Sequence, residues 1–183
     1  MALRGRQRLG RPGRRRLTGL GSPPTPEVRP LRVEDADACD QIVASLPYHF
    51  GNAEGRRECA LAVRSQPGLV AVVDGTVAGF LTVQRHFEQA AEITWMAVHA
   101  RHRHRGVGSA LVERLCRDLA AEGRRLLLVL TVSPSDEGPE PPDGYQATRA
   151  FYRAMGFVLA RDLPGLWDAD TAVLLVRPLR PAP

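Results

Sequence analysis

The sequence predicts an α+β fold in which helices flank a mixed sheet with an antiparallel N-terminal half. Two observations carry this expectation. Apolar, β-branched runs at 69–73 and 77–83 are joined by Asp74-Gly75-Thr76, and Asp-Gly between such runs signals an antiparallel hairpin. Beyond them, strand-like runs and segments of helical periodicity mix without strict alternation, which points to α+β rather than a doubly wound sheet. A chain of 183 residues, 44% hydrophobic, suits one domain with a real core.

Each element has its own signal. Residues 28–32 form a short strand candidate. Residues 34–46 carry acids in the first turn and Cys39, Ile42, Val43 and Leu46 at helical spacing, and Pro47 ends them. Asn52 is suited to cap a second helix reaching residue 66, where Pro67-Gly68 stops it. After the hairpin, residues 91–98 read as a third long strand. A helix over 109–122 follows, with Ala110, Leu111, Leu115 and Leu119 on one face and Gly123 closing it. Residues 126–132 are continuously apolar, which predicts a central strand buried on both faces. Residues 133–144, rich in Pro, Gly, Asp and Glu, form a long loop. Thr148 is placed to cap a helix running to Met155, Gly156 stops it, and strands at 157–160 and 172–177 close the chain.

Charge is distributed unevenly. All 25 basic residues are arginine, so a lysine nucleophile or a phosphate-gripping lysine is excluded. Seven arginines and no acid fall within residues 1–26, whereas the remainder holds 18 arginines against 20 acids. The formal net charge of +5 therefore belongs to a tail and not to the body. That tail, rich in Gly, Pro and Arg without an aromatic residue, is expected to be disordered, with the folded domain spanning 27–180. Arg14-Arg15-Arg16 faintly resembles a twin-arginine signal, yet glycine and proline occupy 17–26 where an apolar stretch would be needed. A transit peptide, translation begun upstream of the domain, and an RNA-contacting arm stay open as readings of the tail. Cys39, Cys59 and Cys116 are widely separated and odd in number, forming neither a disulfide framework nor a metal motif. No apolar run approaches the length of a membrane span. A soluble, cytoplasmic protein is the expectation.

The chemistry concentrates at a strand, a turn and a helix start: Glu92-Ile93-Thr94-Trp95-Met96-Ala97-Val98, then Arg103-His104-Arg105-Gly106-Val107-Gly108, then the helix from Ser109. A two-glycine turn at a helix N-terminus presents backbone N–H groups and partial positive charge to an anion, and a pyrophosphate is its natural ligand. A Walker loop requires a Gly-Lys pair absent from this chain. The dinucleotide fingerprint requires a third glycine where position 111 is Leu. His99, His102 and His104 cluster here without Asp, Glu or Cys at ligand spacing. They read as further N–H donors, and no metal is expected.

This turn matches Arg/Gln-x-x-Gly-x-Gly/Ala, the acetyl-CoA motif of the GNAT acetyltransferases, as Arg103-x-x-Gly106-x-Gly108. The preceding strand, the following Ala110-Leu111-Val112-Glu113, and a late segment containing Phe151-Tyr152 and Gly156-Phe157 are also similar to that family. The resemblance covers roughly residues 28–177. It implies the GNAT acyl-CoA acyltransferase fold, with a V-shaped splay between the strand carrying Val98 and strand 126–132, and acetyl-CoA as co-substrate. It further implies that the backbone of Met96, Ala97 and Val98 runs beside the pantetheine arm. Arg103, His104, Arg105, Gly106, Val107, Gly108 and Ser109 would wrap the pyrophosphate. Tyr152 stands where many members keep a tyrosine that protonates the departing thiolate; its bland alternative is a packed helix aromatic. Glu92 resembles the general base of the histone-acetylating branch, acting through water; its alternative is a surface or ion-paired glutamate. Plain strand alternation puts Glu92, Thr94, Met96 and Val98 on one face, pointing Glu92 the same way as the residues nearest the cofactor.

Two functions follow from different classes. One is an N-acetyltransferase moving acetyl to a primary amine of a small-molecule or peptide acceptor by direct attack, as a monomer or homodimer, with no membrane partner. The other is a non-catalytic CoA-binding module that contacts nucleic acid only through its tail. Tyr152 favours the first, since a pure binder has no use for a phenol beside sulfur. Family resemblance builds the acceptor site from residues 46–55, 133–144 and 163–171. Trp167 is a candidate there, and Trp95 either lines that site or packs on a helix. Asp136, Glu137, Glu140 and Asp143 suit either a polyamine or aminoglycoside pocket or a solvated loop.

Overall fold

The computed structural model describes residues 25–136, 144–168 and 170–180. Nearly all of the expected tail, and Glu137, Glu140 and Asp143, lie outside the described residues. Seven strands are seen among those described: β1 Glu27–Pro30, β2 Gly68–Val73, β3 Thr76–His86, β4 Ala90–Val98, β5 Leu126–Val132, β6 Val158–Leu163 and β7 Ala172–Pro178. Four α-helices accompany them: α1 Ala36–Ala44, α2 Ala53–Ser65, α3 Val107–Ala121 and α4 Tyr145–Ala154. The strands form one sheet in the order β1-β2-β3-β4-β5-β7-β6. Every neighbouring pair is antiparallel except the central pair β4 and β5, which is parallel. The expected mixed sheet with an antiparallel N-terminal half is the one observed.

Local signals explain most of these elements. Asp74 and Gly75 both take positive φ, as the tight turn between β2 and β3 requires. Asn52 caps α2 by accepting from the Glu54 N–H at 2.8 Å. Strand alternation then sorts the apolar side chains to two faces. Leu69, Ala71, Leu81 and Ile93 join Leu111, Leu115 and Leu119 of α3, together with Tyr152 of α4. Val70, Phe80 and Ala97 join Cys39, Ile42, Cys59 and Val63 beneath α1 and α2. The result is a three-layer sandwich with a core on each side of the sheet.

Three expectations need correcting. Helix α4 begins before Thr148: Gly144 is its N-cap, and the Thr148 hydroxyl instead donates back to the Gly144 carbonyl at 3.4 Å. A threonine inside the first turn has its carbonyl acceptor within reach, so it satisfies itself there. β5 is buried unequally on its two faces: Leu127, Val129 and Thr131 are covered, whereas on the other face Leu126 is exposed, Leu128 and Leu130 are half-buried, and Val132 at the strand's end is covered.

The third correction concerns β4. Its register with β3 shifts, so that Thr82 opposes Trp95 and Val83 opposes Ile93, leaving Thr94 as an extra residue. Thr94 is held there by Thr82, 2.8 Å between hydroxyls, and by donating to Gln66 Oε1 at 2.5 Å. This bulge breaks the alternation. Ala91 and Ile93 face α3, and so do Met96 and Val98, whereas Trp95 and Ala97 face α1 and α2. Glu92 therefore projects to the face opposite Met96 and Val98, contrary to the expectation from unbroken alternation.

An acid-sensitive anchor ties β1 to the turn before α1. Asp35, 7% exposed, accepts a bidentate pair of bonds from Arg29 at 2.7 Å each and another from the Arg32 N–H at 2.9 Å. The Arg29 guanidinium, first among these, holds the Asp35 carboxyl below its usual value of 3.8. A depressed carboxylate stabilises the fold fully above its unfolded pKa and loses that contribution as pH falls through its folded value. Thermal stability should thus drop as pH falls below about 4. Melting curves of Asp35→Asn should be lower at pH 7 and flatter across this acid range than wild type.

Candidate active site

The parallel pairing of β4 with β5 is brief. It runs from Ala90 opposite Leu126 to Ile93 opposite Val129, and then stops. β4 nevertheless stays paired with β3 as far as Val98, and β5 with β7 as far as Val132. Past Ile93 and Val129 the two central strands therefore splay, giving the V-shaped opening that was expected. His99 donates its N–H to Ala78 O of β3 at 2.9 Å. By alternation, Ala97 and Trp95 also turn their backbone groups to β3, and Met96 and Val98 turn theirs into the cleft, where β5 offers no partner. Of the expected pantetheine-side trio, Met96 and Val98 can bond through the backbone, while Ala97 lends only a wall.

Helix α3 opens onto one end of this cleft. Gly106, its N-cap, is left-handed at φ 78, and His104 just before it is also at positive φ, 59. The first bond of the helix is donated by Ala110 to Gly106 O. The N–H groups of Val107, Gly108 and Ser109 therefore have no intrahelical acceptor, and they sit at the positive end of a 15-residue helix. That is a fitting seat for a pyrophosphate. Arg103, His104, Gly106, Val107, Gly108 and Ser109 all line the same cavity, of about 540 Å³. Arg105 is exposed and does not line it. His99 is spoken for, accepting from the Arg101 N–H at 3.1 Å, whereas His102 lines the cavity with its ring edge-on to that of His99. Among the described residues no three His, Cys, Asp or Glu side chains gather as a metal site.

The two glycines serve different needs. A Cβ at Gly106 would meet nothing within 4 Å, so only its left-handed backbone asks for glycine. A Cβ at Gly108 would lie 3.2 Å from Met96 Cε and 3.2 Å from Phe151 Cζ. Gly108 thus lets α3, β4 and α4 converge. Gly108→Leu should overpack this junction at about 1–3 kcal/mol and weaken acetyl-CoA binding, whereas Gly106→Ala should cost about 1 kcal/mol through backbone strain alone. Melting curves and calorimetric titration with acetyl-CoA would rank the two.

α4 brings Tyr152 to the cleft. Its ring lies between Phe151 and Phe157, with centroids at 5.2 and 5.3 Å, and its hydroxyl donates toward Met96 Sδ at 3.8 Å. Tyr152 is 5% exposed, and burial raises its pKa above the usual 10. The phenol consequently stays protonated at neutral pH. Glu92 lines the cavity from the opposite face, where His86 Nε2 and Glu92 Oε2 share a hydrogen bond of 2.7 Å.

The sequence pattern over which these elements lie is a recognised one: the Acetyltransferase (GNAT) domain matches residues 64–159, just over half the chain. The protein belongs to the GNAT acetyltransferase family. Solved structures agree at the level of fold. This GNAT chain superposes on a GNAT-family protein from Desulfovibrio desulfuricans with a TM-score of 0.72 and 21% identity, covering 85% of this chain and 100% of the other. It superposes on the ribosomal-protein-S18-alanine N-acetyltransferase from Escherichia coli with a TM-score of 0.68 and 18% identity, covering 87% and 97%. An aminoglycoside 6'-N-acetyltransferase complexed with coenzyme A matches with a TM-score of 0.63 and 16% identity, covering 86% and 99%. None of the curated proteins matches the sequence significantly. Among the described residues no helix of this GNAT protein is long and apolar enough to cross a membrane.

Several residues at the GNAT site escape a reading of the sequence. Gly79 on β3 is one: a Cβ there would lie 3.0 Å from Val107 Cγ1 and 3.1 Å from Ala97 O, so its bareness admits the start of α3. Arg149 is another, 5% exposed, donating from Nη1 to Val132 O at 3.0 Å at the open end of β5. An arginine on the same helix face as Tyr152 was the available signal. Glu58 of α2 also lines the cavity, and so do Phe50, between α1 and α2, and Trp167, from the β6–β7 connection, the last two within stretches expected to build the acceptor site.

Proposed function

We propose that the chain, through a domain spanning residues 27–180, transfers acetyl from acetyl-CoA to a primary amine by direct attack inside the β4–β5 cleft. The carrying observation is the splay beyond Ile93 and Val129, with the unbonded amides of α3 at one end and the Tyr152 hydroxyl beside Met96 within it. Acetyl-CoA supplies an activated acyl group on sulfur. The amides of Val107, Gly108 and Ser109, with Arg103 and His104 beside them, are suited to hold its pyrophosphate, and the free backbone groups of Met96 and Val98 to hold the pantetheine arm.

On this reading the bulge at Thr94 separates the two substrates. The cofactor side carries Met96, Gly108, Phe151 and Tyr152, and the opposite face carries Phe50, Trp95, Glu58 and Glu92, so acceptor and donor meet in the gap from opposite sides of the sheet. Glu92, acting through water, takes a proton from the acceptor ammonium. The freed nitrogen forms the C–N bond, the C–S bond breaks, and Tyr152 gives its proton to the departing thiolate. The phenol is restored by the proton that the acylated nitrogen sheds, and a second proton leaves to solvent. The Glu92–His86 contact supports a carboxylate kept oriented for that task.

The test is thiol release from acetyl-CoA over an amine panel, with mass spectrometry of the amine product. Stoichiometric N-acetylation is the expected outcome. Binding of acetyl-CoA without amine-dependent thiol release on any amine would overturn the reading.

A further inference from the structure

Aromatic residues are scarce in this chain, and they are not scattered. Of its ten Phe, Tyr and Trp residues, six line this one cavity: Phe50, Trp95, Tyr145, Phe151, Tyr152 and Trp167. Phe151 and Tyr152 lie on the cofactor side. The others frame the acceptor side. Phe50 and Trp95 are tilted against each other, 31° between planes and 6.1 Å between centroids. Tyr145 meets the His49 ring edge-on at 5.1 Å, making a second aromatic wall. Trp167, reached from the β6–β7 connection, also lines the cavity and is 38% exposed. Large apolar surface left uncovered at a cavity marks a place where something apolar docks.

The charges there are few. Among the described lining residues only Glu58 and Glu92 are carboxylates, and Glu92 is engaged by His86. Glu58 sits one turn after Gly55 on α2, so it shares a helix face with it. A Cβ at Gly55 would lie 3.9 Å from Trp95 Cη2, which brings the indole against that same face. One exposed carboxylate beside one indole suits a single ammonium, held by Coulomb attraction and by the ring face together.

We infer that the acceptor is a small primary amine with one ammonium on an aromatic body, its ring held among Phe50, Trp95, Tyr145 and Trp167 and its ammonium steered by Glu58. This inference rests on the acetyltransferase reading but is tested apart from it. Trp95 and Trp167 are the two tryptophans of the chain, and both line the cavity, so intrinsic fluorescence reports occupancy without acetyl-CoA.

Titration of the full chain with 2-phenylethylamine, spermidine and the tripeptide Ala-Ala-Ala should show saturable change with the first at a Kd about tenfold or more below the other two. Trp167→Leu should weaken phenylethylamine about tenfold and Glu58→Gln about fivefold, each variant keeping at least one reporter and its melting temperature. Tighter binding of spermidine or the tripeptide, equal binding of all three, or no binding of phenylethylamine would overturn the inference. Thiol release is measured separately with the same amines. Phenylethylamine that binds as described while no amine of the panel is acetylated would sink the acetyltransferase reading and leave the pocket assignment standing; acetylation of spermidine alone would do the reverse.

Discussion

Tyr152→Phe should lower kcat for amine acetylation by about 10²-fold or more while leaving the acetyl-CoA dissociation constant within about twofold. The asymmetry follows from what the hydroxyl touches. Its described contact is Met96 Sδ at 3.8 Å, a weak bond, whereas the ring packing against Phe151 and Phe157 survives the substitution. Little stability is therefore at stake, and a proton donor is lost. Because burial raises the Tyr152 pKa, wild-type kcat should show no loss from phenol ionisation up to pH 10. Pre-steady-state thiol release would locate the defect in C–S cleavage. An unchanged kcat on a confirmed amine would remove Tyr152 from the acid role.

Arg149→Met should have the largest structural effect. The substitution keeps a long side chain and deletes the donor to Val132 O, a carbonyl on a strand whose other edge is free because of the splay. Leaving that buried acceptor without its charged partner costs about 2 kcal/mol, which in a chain of this size lowers Tm by about 4–8 °C. Activity should fall with it, since Arg149 ties the end of β5 to the same helix turn that carries Tyr152. Differential scanning calorimetry and thiol release on one sample would show both losses, and a wild-type Tm would refute the tie.

The parts of this site legible in the sequence are those written locally. Asp74-Gly75 needs only its own φ values to make a hairpin, and Gly106-Val107-Gly108 needs only a following helix to make an anion seat. Phe151-Tyr152 is readable only through its likeness to the late segment of the GNAT family. The bulge at Thr94 is not, because a threonine in a strand looks like any other β-branched residue until Thr82 and Gln66 bond to it from distant elements. The face to which Glu92 projects is hidden from the sequence on that account. Arg149 and Glu58 are not legible in the same way, because an arginine or a glutamate on a helix is ordinarily a solvated side chain. Only the tertiary arrangement turns them inward.

That single extra residue in β4 also changes how the strand would answer to substitution. Before Thr94 the even-numbered position, Glu92, looks toward the side of α1 and α2 and the odd-numbered Ala91 and Ile93 look toward α3; after it the odd-numbered Trp95 and Ala97 look toward α1 and α2 and the even-numbered Met96 and Val98 toward α3. The strand has two parities, and they invert within one peptide unit. Under the proposed acetyl transfer, changes of acceptor preference and changes of cofactor affinity would fall on non-overlapping sets of β4 positions, so the strand could diverge in one without disturbing the other.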